Sequence, residues 1–443
     1  MKKIAIMLAV MMLGGALVAD AEKSAFPGAM GWAAQTTTGG RGGKIIKVST
    51  LNLDGPGSLT EALNAKGPRI VVFEVGGVID LGAKDLVITE PDLTIAGQTA
   101  PTPGISLIRG GVLVKDTRNI IIQHIAIRSG EAGFPKGGVR GKPGHDFDCL
   151  STDNAHDVIF DHCSGAWASD ECMSVSGPRT KGGTTVEDFR KNTSYNVTIQ
   201  NCILAEGLLH SIHGSYPKGH SKGTLIHDNV TSVLLARNVY ISNDDRNPAV
   251  KAGGQAAVVN NWIFNPRSLV MHSMCEQGEW GKFAPVSPIW SIVGNVVELG
   301  PDSKEKIPFF SWSQKSAPQA IPQVYLEDNL FVDPQRKPLP MSEEKNGDKD
   351  VYKKLPAKTV WPAGLEVLPS DKVKDHLAKN AGARPWDRDP IDKRVITDAL
   401  AGKGKVINEE TAVEGYPKYA PTKAVFNPAD WNLETMEPKK ALR

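Results

Sequence analysis

One pattern of apolar and polar positions returns along the chain. Apolar residues alternate or run together, then come Asn, His, Cys or Asp, then a further apolar pair. It reads "NIIIQHIAIRSG" from Asn119, "DVIFDHCSGAW" from Asp157 and "NVTIQNCILAE" from Asn196. It returns as "VLLARNVYISN" from Val233, "AAVVNNWIFNP" from Ala256, "SIVGNVVELGP" from Ser291 and "VYLEDNLFVDP" from Val324. A weaker copy, "DLTIAGQ", starts at Asp92. Most starts fall roughly 23 to 39 residues apart, the spacing of stacked structural repeats.

Each copy is too short for a helix and rich in β-branched residues, so each predicts a strand. No helical period of useful length lies between copies, which argues against a doubly wound α/β sheet, whose crossovers need helices. A β-sandwich would bring strands every 8 to 12 residues or so with hairpin turns, and clean NG or DG hairpins are scarce. The expected fold is an all-β solenoid, a parallel β-helix in which each coil buries its face on the next. Asn, Cys and Ser at equivalent places suit inward ladders of like side chains.

Composition sets the boundaries. "MKKIAIMLAVMMLGGALVADA" has two lysines, an apolar run and a small-x-small cleavage site, the pattern of a secretory signal peptide over residues 1–21. Its lysine-led start has a bacterial look. The coil domain is expected over residues 22–335, after the glycine-rich, irregular opening "AFPGAMGWAAQTTTGGRGGK". A Pro- and Lys-rich stretch then begins an extension over residues 336–443, mostly irregular and packed along the coil. A short helix is expected at Ser370–Lys379, with Ser370 or Asp371 as its cap. No later stretch is long and apolar enough to span a bilayer. The mature protein is therefore expected to be soluble, secreted to the periplasm or the medium, and monomeric. A net charge of +2 over 443 residues gives no ground for a nucleic-acid partner. The five cysteines are an odd count, so at least one is free, and their spacing matches no zinc site; they read as small buried hydrophobes.

Chemistry concentrates in two places. "HDFDCLSTDNAHDVIFDHCSGAWASDECMS" carries Asp146, Asp148, Asp153, Asp157, Asp161, Asp170 and Glu171. In a strand Asp146 and Asp148 would share a face, and a further coil would bring Asp170 beside them. Converging hard oxygens are what calcium takes, whereas like charges left alone repel. The second group is basic: Lys218, His220 and Lys222, then Arg237, Arg246 and Lys251. Cations beside an acidic cluster on one face would recognise a polyanion with repeating carboxylates.

These residues also carry a resemblance. "VIFDHC" (Val158 to Cys163), the Asp146-x-Asp148 pair upstream and "RNPAVK" (Arg246 to Lys251) followed by "VVNNWIFN" are similar to motifs of the pectate lyases of the parallel β-helix type, the first polysaccharide lyase family. "AFPGAMG", "GGRGGK", "GPGSLTEAL", "TIAGQTAP" and "AGARPWDRDPIDKRV" resemble its secreted bacterial branch. The resemblance covers most of the mature chain. It implies a right-handed coil and a calcium-assisted β-elimination on polygalacturonate, the pectin backbone, giving unsaturated oligogalacturonides. It implies Asp146, Asp148 and Asp170 as Ca2+ ligands and Arg246 as the group that takes the proton. A lysine would bind the substrate carboxylate; Lys218 and Lys222 both align, and His220 and Lys251 lie in the same basic group. Two positions depart from the family. Ser174 stands where an Asp is common, with Glu171 as a substitute ligand. Lys251 stands where a second Arg is common, keeping charge without the two-pronged grip.

Elementary chemistry would have chosen His220 or a lysine as base, because a guanidinium is protonated at any ordinary pH. For Asp244, alternation along an extended strand predicts a place beside Arg246 as an orienting partner. Two rival readings share the fold. A polygalacturonase-like hydrolase would use paired aspartates around a water, and "STDNA", "SDE" and "IHGS" faintly imitate its motifs. A secreted carbohydrate-binding solenoid would need no catalytic group.

Overall fold

A computed structural model describes residues 24–134, 146–215, 218–314, 316–341 and 351–442; the expected signal peptide lies outside these. Among the described residues, strands assemble into three sheets of eleven, ten and eight members. The chain visits them in rotation. His156–Asp161 belongs to the eleven-stranded sheet, Ser164–Ala166 to the ten-stranded sheet and Glu171–Ser176 to the eight-stranded sheet; Tyr195–Gln200 then starts the next coil. Neighbouring coils pair in parallel and in register, as Val158 with Val197 and Val197 with Val233. The result is a right-handed parallel β-helix, the coil that the repeats predict with the hand that the resemblance implies.

Each repeated motif holds two strands and the corner between them, a finer structure than the single strand its pattern predicts. At that corner one residue adopts the left-handed conformation, among them His124, His162, Asn201, Arg237 and Asn260. The residue after it points inward. In successive coils that residue is Cys163, Cys202, Asn238, Asn261, Asn295 and Asn329. The asparagines bond side chain to side chain: Asn238 Nδ2 to Asn261 Oδ1 at 3.1 Å, Asn261 Nδ2 to Asn295 Oδ1 at 2.9 Å, Asn295 Nδ2 to Asn329 Oδ1 at 3.0 Å. Each interior amide thereby satisfies the next, which is what a buried polar group requires. Apolar side chains such as Val158, Phe160, Val197, Ile199 and Val233 fill the rest of the coil interior. All five cysteines are buried and unbridged.

After Leu330–Val332, one short strand of the extension, Lys353–Lys354, adds a final parallel rung to the eleven-stranded sheet beside Gln323–Glu327, and the extension then turns back along the molecule. Its helix Ser370–Asn380 lies where the sequence predicts one, but Pro369 holds the N-cap position and neither Ser370 nor Asp371 caps; Ser370 Oγ instead donates to Asp328. A second helix, Pro390–Leu400, was not expected. Its start signal was present: Asp389 caps through Asp392 N, and proline occupies the first turn. Both helices bury their apolar stripe on the outer face of the ten-stranded sheet, with Val373, Leu377, Val395 and Ile396 against Ile203, Val239 and Trp262. Fully buried Arg128 bonds Asp389 and Asp392 at 3.0 and 2.6 Å. Thr422–Lys423 closes the ten-stranded sheet by pairing antiparallel with Val75–Asp80, a strand of the first coils.

Candidate active site

The eight-stranded sheet is where the sequence-predicted chemistry gathers. Leu150 pairs with Met173, and Glu171 with Lys222. Two residues back from Leu150, Asp148 therefore stands level with Glu171. An isolated bridge joins Lys222 to Asp245, beside Arg246. Asp148, Glu171, Lys222 and Asp245–Arg246 thus occupy successive rungs at one edge of the sheet, about 4.8 Å apart as parallel strands require. Stacking turns residues almost a hundred positions apart in sequence into one row.

Charge along the row is closely matched. Arg246 Nη1 bonds Glu171 Oε1, and its Nε lies 4.0 Å from Asp245. Lys222 Nζ, buried, bonds Asp245 at 2.9 Å. Burial pushes the Arg246 pKa down, against the opposing charges of Asp170, Asp148 and Glu279. Asp148 accepts Ser174 Oγ at 2.5 Å and Glu171 N at 3.0 Å. Burial, then the charge of Asp170, pushes its carboxyl well above the usual range. Burial also opposes the charge of Asp170, but the hydrogen bond from His220 at 2.5 Å and the charges around it hold that carboxyl down at about 2.

Asp148, Asp170 and Glu171 offer carboxylate oxygens that lie within 4.8 Å of one another. An all-oxygen donor set of this kind suits calcium. Asp148 has hydrogen-bond donors but no salt-bridge cation of its own among the described residues, so a divalent ion would relieve its repulsion from Asp170. The departure at Ser174 is accommodated, because its hydroxyl holds Asp148 in place and Glu171 faces the same space.

Other expected residues fall elsewhere. Asp146, exposed, stays outside the three-carboxylate group and meets it only through His213, whose Nε2 lies 3.8 Å from both Asp146 and Asp170. Lys218 is exposed in a turn. His220 does reach the site, but as a partner of Asp170, stacked on His213 at 3.6 Å between ring centroids. Lys251 is turned into a separate cluster, paired with Glu279 and 3.8 Å from Asp228, where Arg179 and Trp280 also bond. Arg237 lies at another corner of the coil. Asp244 is not the partner of Arg246, because Arg246 is left-handed (φ 56°), which breaks strand alternation; Asp244 pairs instead with Arg267 at 2.9 Å. His213, Asp245 and Glu279 are site neighbours that sequence reading missed. His213 sits in a loop, where no periodicity marks it; Glu279 comes near only through coil stacking.

Residues 1–279 match a family model described as pectate lyase. A probable pectate lyase C of Aspergillus flavus is 32% identical over 396 residues, covering 88% of this chain and 81% of the relative. The chain belongs to the pectate lyase family. A probable pectate lyase C of Emericella nidulans is 30% identical over 394 residues, 87% of this chain and 78% of the relative. A bacterial member, the pectate trisaccharide-lyase of Thermotoga maritima, is 26% identical over 226 residues, 51% of this chain and 52% of its own. The bacterial branch expected from the N-terminus and opening motifs is not borne out, since the relatives with the longer and stronger matches are fungal. Family membership explains the shared fold. Jun a 1, the major allergen from cedar pollen, superposes with a TM-score of 0.54 at 18% identity, over 80% of this chain and 92% of that one. A pectate lyase from Bacillus sp. N165, solved with trigalacturonate, gives 0.52 at 13%, over 80% and 98%. Likeness at such identity speaks for the fold alone.

Proposed function

We propose that the protein cleaves polygalacturonate by β-elimination at the row Asp148–Glu171–Lys222–Arg246, with Asp170 alongside, aided by calcium. The observation that carries this reading is the register-matched row itself: three carboxylates of calcium-ligand type face one arginine and one lysine, in a chain of the pectate lyase family. Asp148, Asp170 and Glu171 would hold the ion. When bound, calcium withdraws charge from the uronate carboxylate and so makes the neighbouring C5 proton more acidic. Lys222, fixed by Asp245, is the lysine we assign to the substrate carboxylate in preference to exposed Lys218. Arg246 takes the C5 proton as the bond from C4 to the leaving oxygen breaks. Burial favours its neutral form, and Glu171 fixes the guanidinium in place. Action outside the cell and the signal peptide belong to the same proposal; no helix among the described residues is long and apolar enough to cross a membrane.

The hydrolase alternative is less well supported. Its acid and base stand roughly 6.5–9.5 Å apart when a water must fit between them. Here the three carboxylates approach within 4.8 Å. One assay separates the readings: polygalacturonate is incubated with the protein in calcium or in chelator. Calcium-dependent ultraviolet absorbance of unsaturated uronides is expected. New reducing ends without that absorbance would make the protein a hydrolase, and neither signal would make it a binding protein.

A further inference from the structure

A cleft of about 470 Å³ opens at a different edge of the coil, where the eleven-stranded sheet turns into the ten-stranded one. The left-handed corner residues His124, His162, Asn201 and Arg237 line one side of it, and Trp386 of the extension lines another. None of the row Asp148–Arg246 reaches it, because the ten-stranded sheet separates the two edges. The motif "VIFDHC" therefore places Asp161 and His162 in this cleft and outside the catalytic row.

Proton positions follow from the partners. His124 Nδ1 lies 2.8 Å from the Ala383 carbonyl, so it carries the hydrogen. Burial, then His162, pushes the His124 pKa down to about 3, so the ring is neutral and Nε2 presents a bare lone pair. His162 Nδ1 likewise donates to Asp161 Oδ1 at 2.8 Å. Asp161 has little left to offer a ligand, because Gln200 and Asn201 share that oxygen and Gln123 takes the other. Three buried polar atoms of cleft residues have no partner: Gln98 Oε1, Arg237 Nε and Thr435 Oγ1. Gln98 is only 6% exposed, so its oxygen has little recourse to bulk water. Arg237, half-buried, has Glu366 as a charged neighbour, yet its Nε–H stays orphaned and calls for a further acceptor. Glu437 also lines the cleft, and burial raises its pKa. The bare His124 nitrogen calls for a hydroxyl proton, and an indole supplies an apolar wall.

We propose that this cleft binds an acidic saccharide unit non-catalytically, its carboxylate on Arg237, its hydroxyls on His124 and His162, and its ring against Trp386. The choice of saccharide rests on the lyase reading above. His124, Asp161 and His162 bring ligand atoms within 4.8 Å of one another, but the two imidazole rings stack at 16°, which sends their outer nitrogens parallel instead of converging, Asp161 is already saturated, and Arg237 adds a positive charge.

The test is calorimetric titration of trigalacturonate, in chelator, into the full chain carrying Asp148→Ala and Arg246→Ala. A remaining site is expected, with affinity lowered at least about tenfold by adding either Arg237→Gln or Trp386→Phe. Thermal unfolding of each variant confirms that it is folded, and the two substitutions serve as independent checks. No binding by the row-disabled chain overturns the proposal, as does binding that neither substitution weakens. Equal affinity for a neutral galactose trisaccharide overturns the carboxylate assignment, and tight zinc binding without saccharide binding makes the cleft a metal site. The wild-type lyase assay keeps the two readings apart. An inactive wild type undoes the lyase reading; an active one without a second site undoes this inference alone.

Discussion

Arg246 and Asp148 occupy environments that pull in opposite directions, and each yields a measurable consequence. Losing a general base removes a factor of about 10² to 10⁴ in turnover. Arg246→Lys should therefore lower kcat by about 10²-fold or more with a small change in KM, as steady-state kinetics on polygalacturonate will show. Asp148 has a folded pKa above its unfolded one. The folded chain therefore holds that proton more tightly, and the group costs stability as pH rises through the interval between the two values. Asp148→Asn should raise the melting temperature of the calcium-free protein at neutral pH by about 1–3 °C. It should also abolish the upward shift that calcium gives the wild type, an effect of binding to the folded state. Differential scanning calorimetry with and without calcium checks both. The fold brings together Asp148, Asp170, Glu171, Lys222 and Arg246, which motifs and resemblance single out in the sequence, although there Lys218 stood level with Lys222. Lys251 and Asp244 were misplaced because their partners, Glu279 and Arg267, come near only through coil stacking and loop lengths that sequence does not set.

At the level of elements, the corner ladder does for the coil interior what a core of leucines does elsewhere, but with direction. Asn261 is its clearest member. Its Oδ1 accepts Asn238 N and Nδ2, and its Nδ2 donates to Leu235 O and Asn295 Oδ1. Asn261→Ala leaves these groups buried and unpaired, at a cost of about 2–4 kcal/mol. Asn329→Ala, at the partly exposed end of the ladder, should cost less, and denaturant unfolding of the two variants will rank them. The ladder was legible because Asn recurs at a fixed offset from an apolar run. The eight-stranded sheet was not, although it carries the site. Its strands, such as Glu171–Ser176 and Lys222–Ile226, open on the charged residues of the row and are flanked by loops of unequal length, so no repeat marks them. Pro390–Leu400 was missed for a different reason: its cap and apolar stripe were local, yet lay in a stretch whose proline and lysine content read as irregular.

Over the whole molecule, buried histidines set the response to acid. Burial pushes His124, His227 and His272 down to about 3. Unfolded, each would titrate near 6.5, so between those values the unfolded chain binds more protons than the folded one. Their contribution is complete above about pH 6.5 and is lost as pH falls toward 3, at no more than about 4 kcal/mol per pH unit for the three together. Chemical unfolding at a series of pH values should show this slope, and His272→Gln should reduce it. The closure of the ten-stranded sheet bears on how such a chain is made. Arg128 waits for Asp389 and Asp392, Gln98 for Met436, and the strand Val75–Asp80 for Thr422–Lys423. The first coils to be synthesised are thus among the last to be finished. Until Thr422–Lys423 is in place, the strand Val75–Asp80 keeps an unpaired edge, the kind of edge on which chains pair with one another. Thr422–Lys423 thus covers one of the open edges at this end of the coil, and a chain cut before Thr422 is expected to self-associate more than the full chain, as light scattering will show.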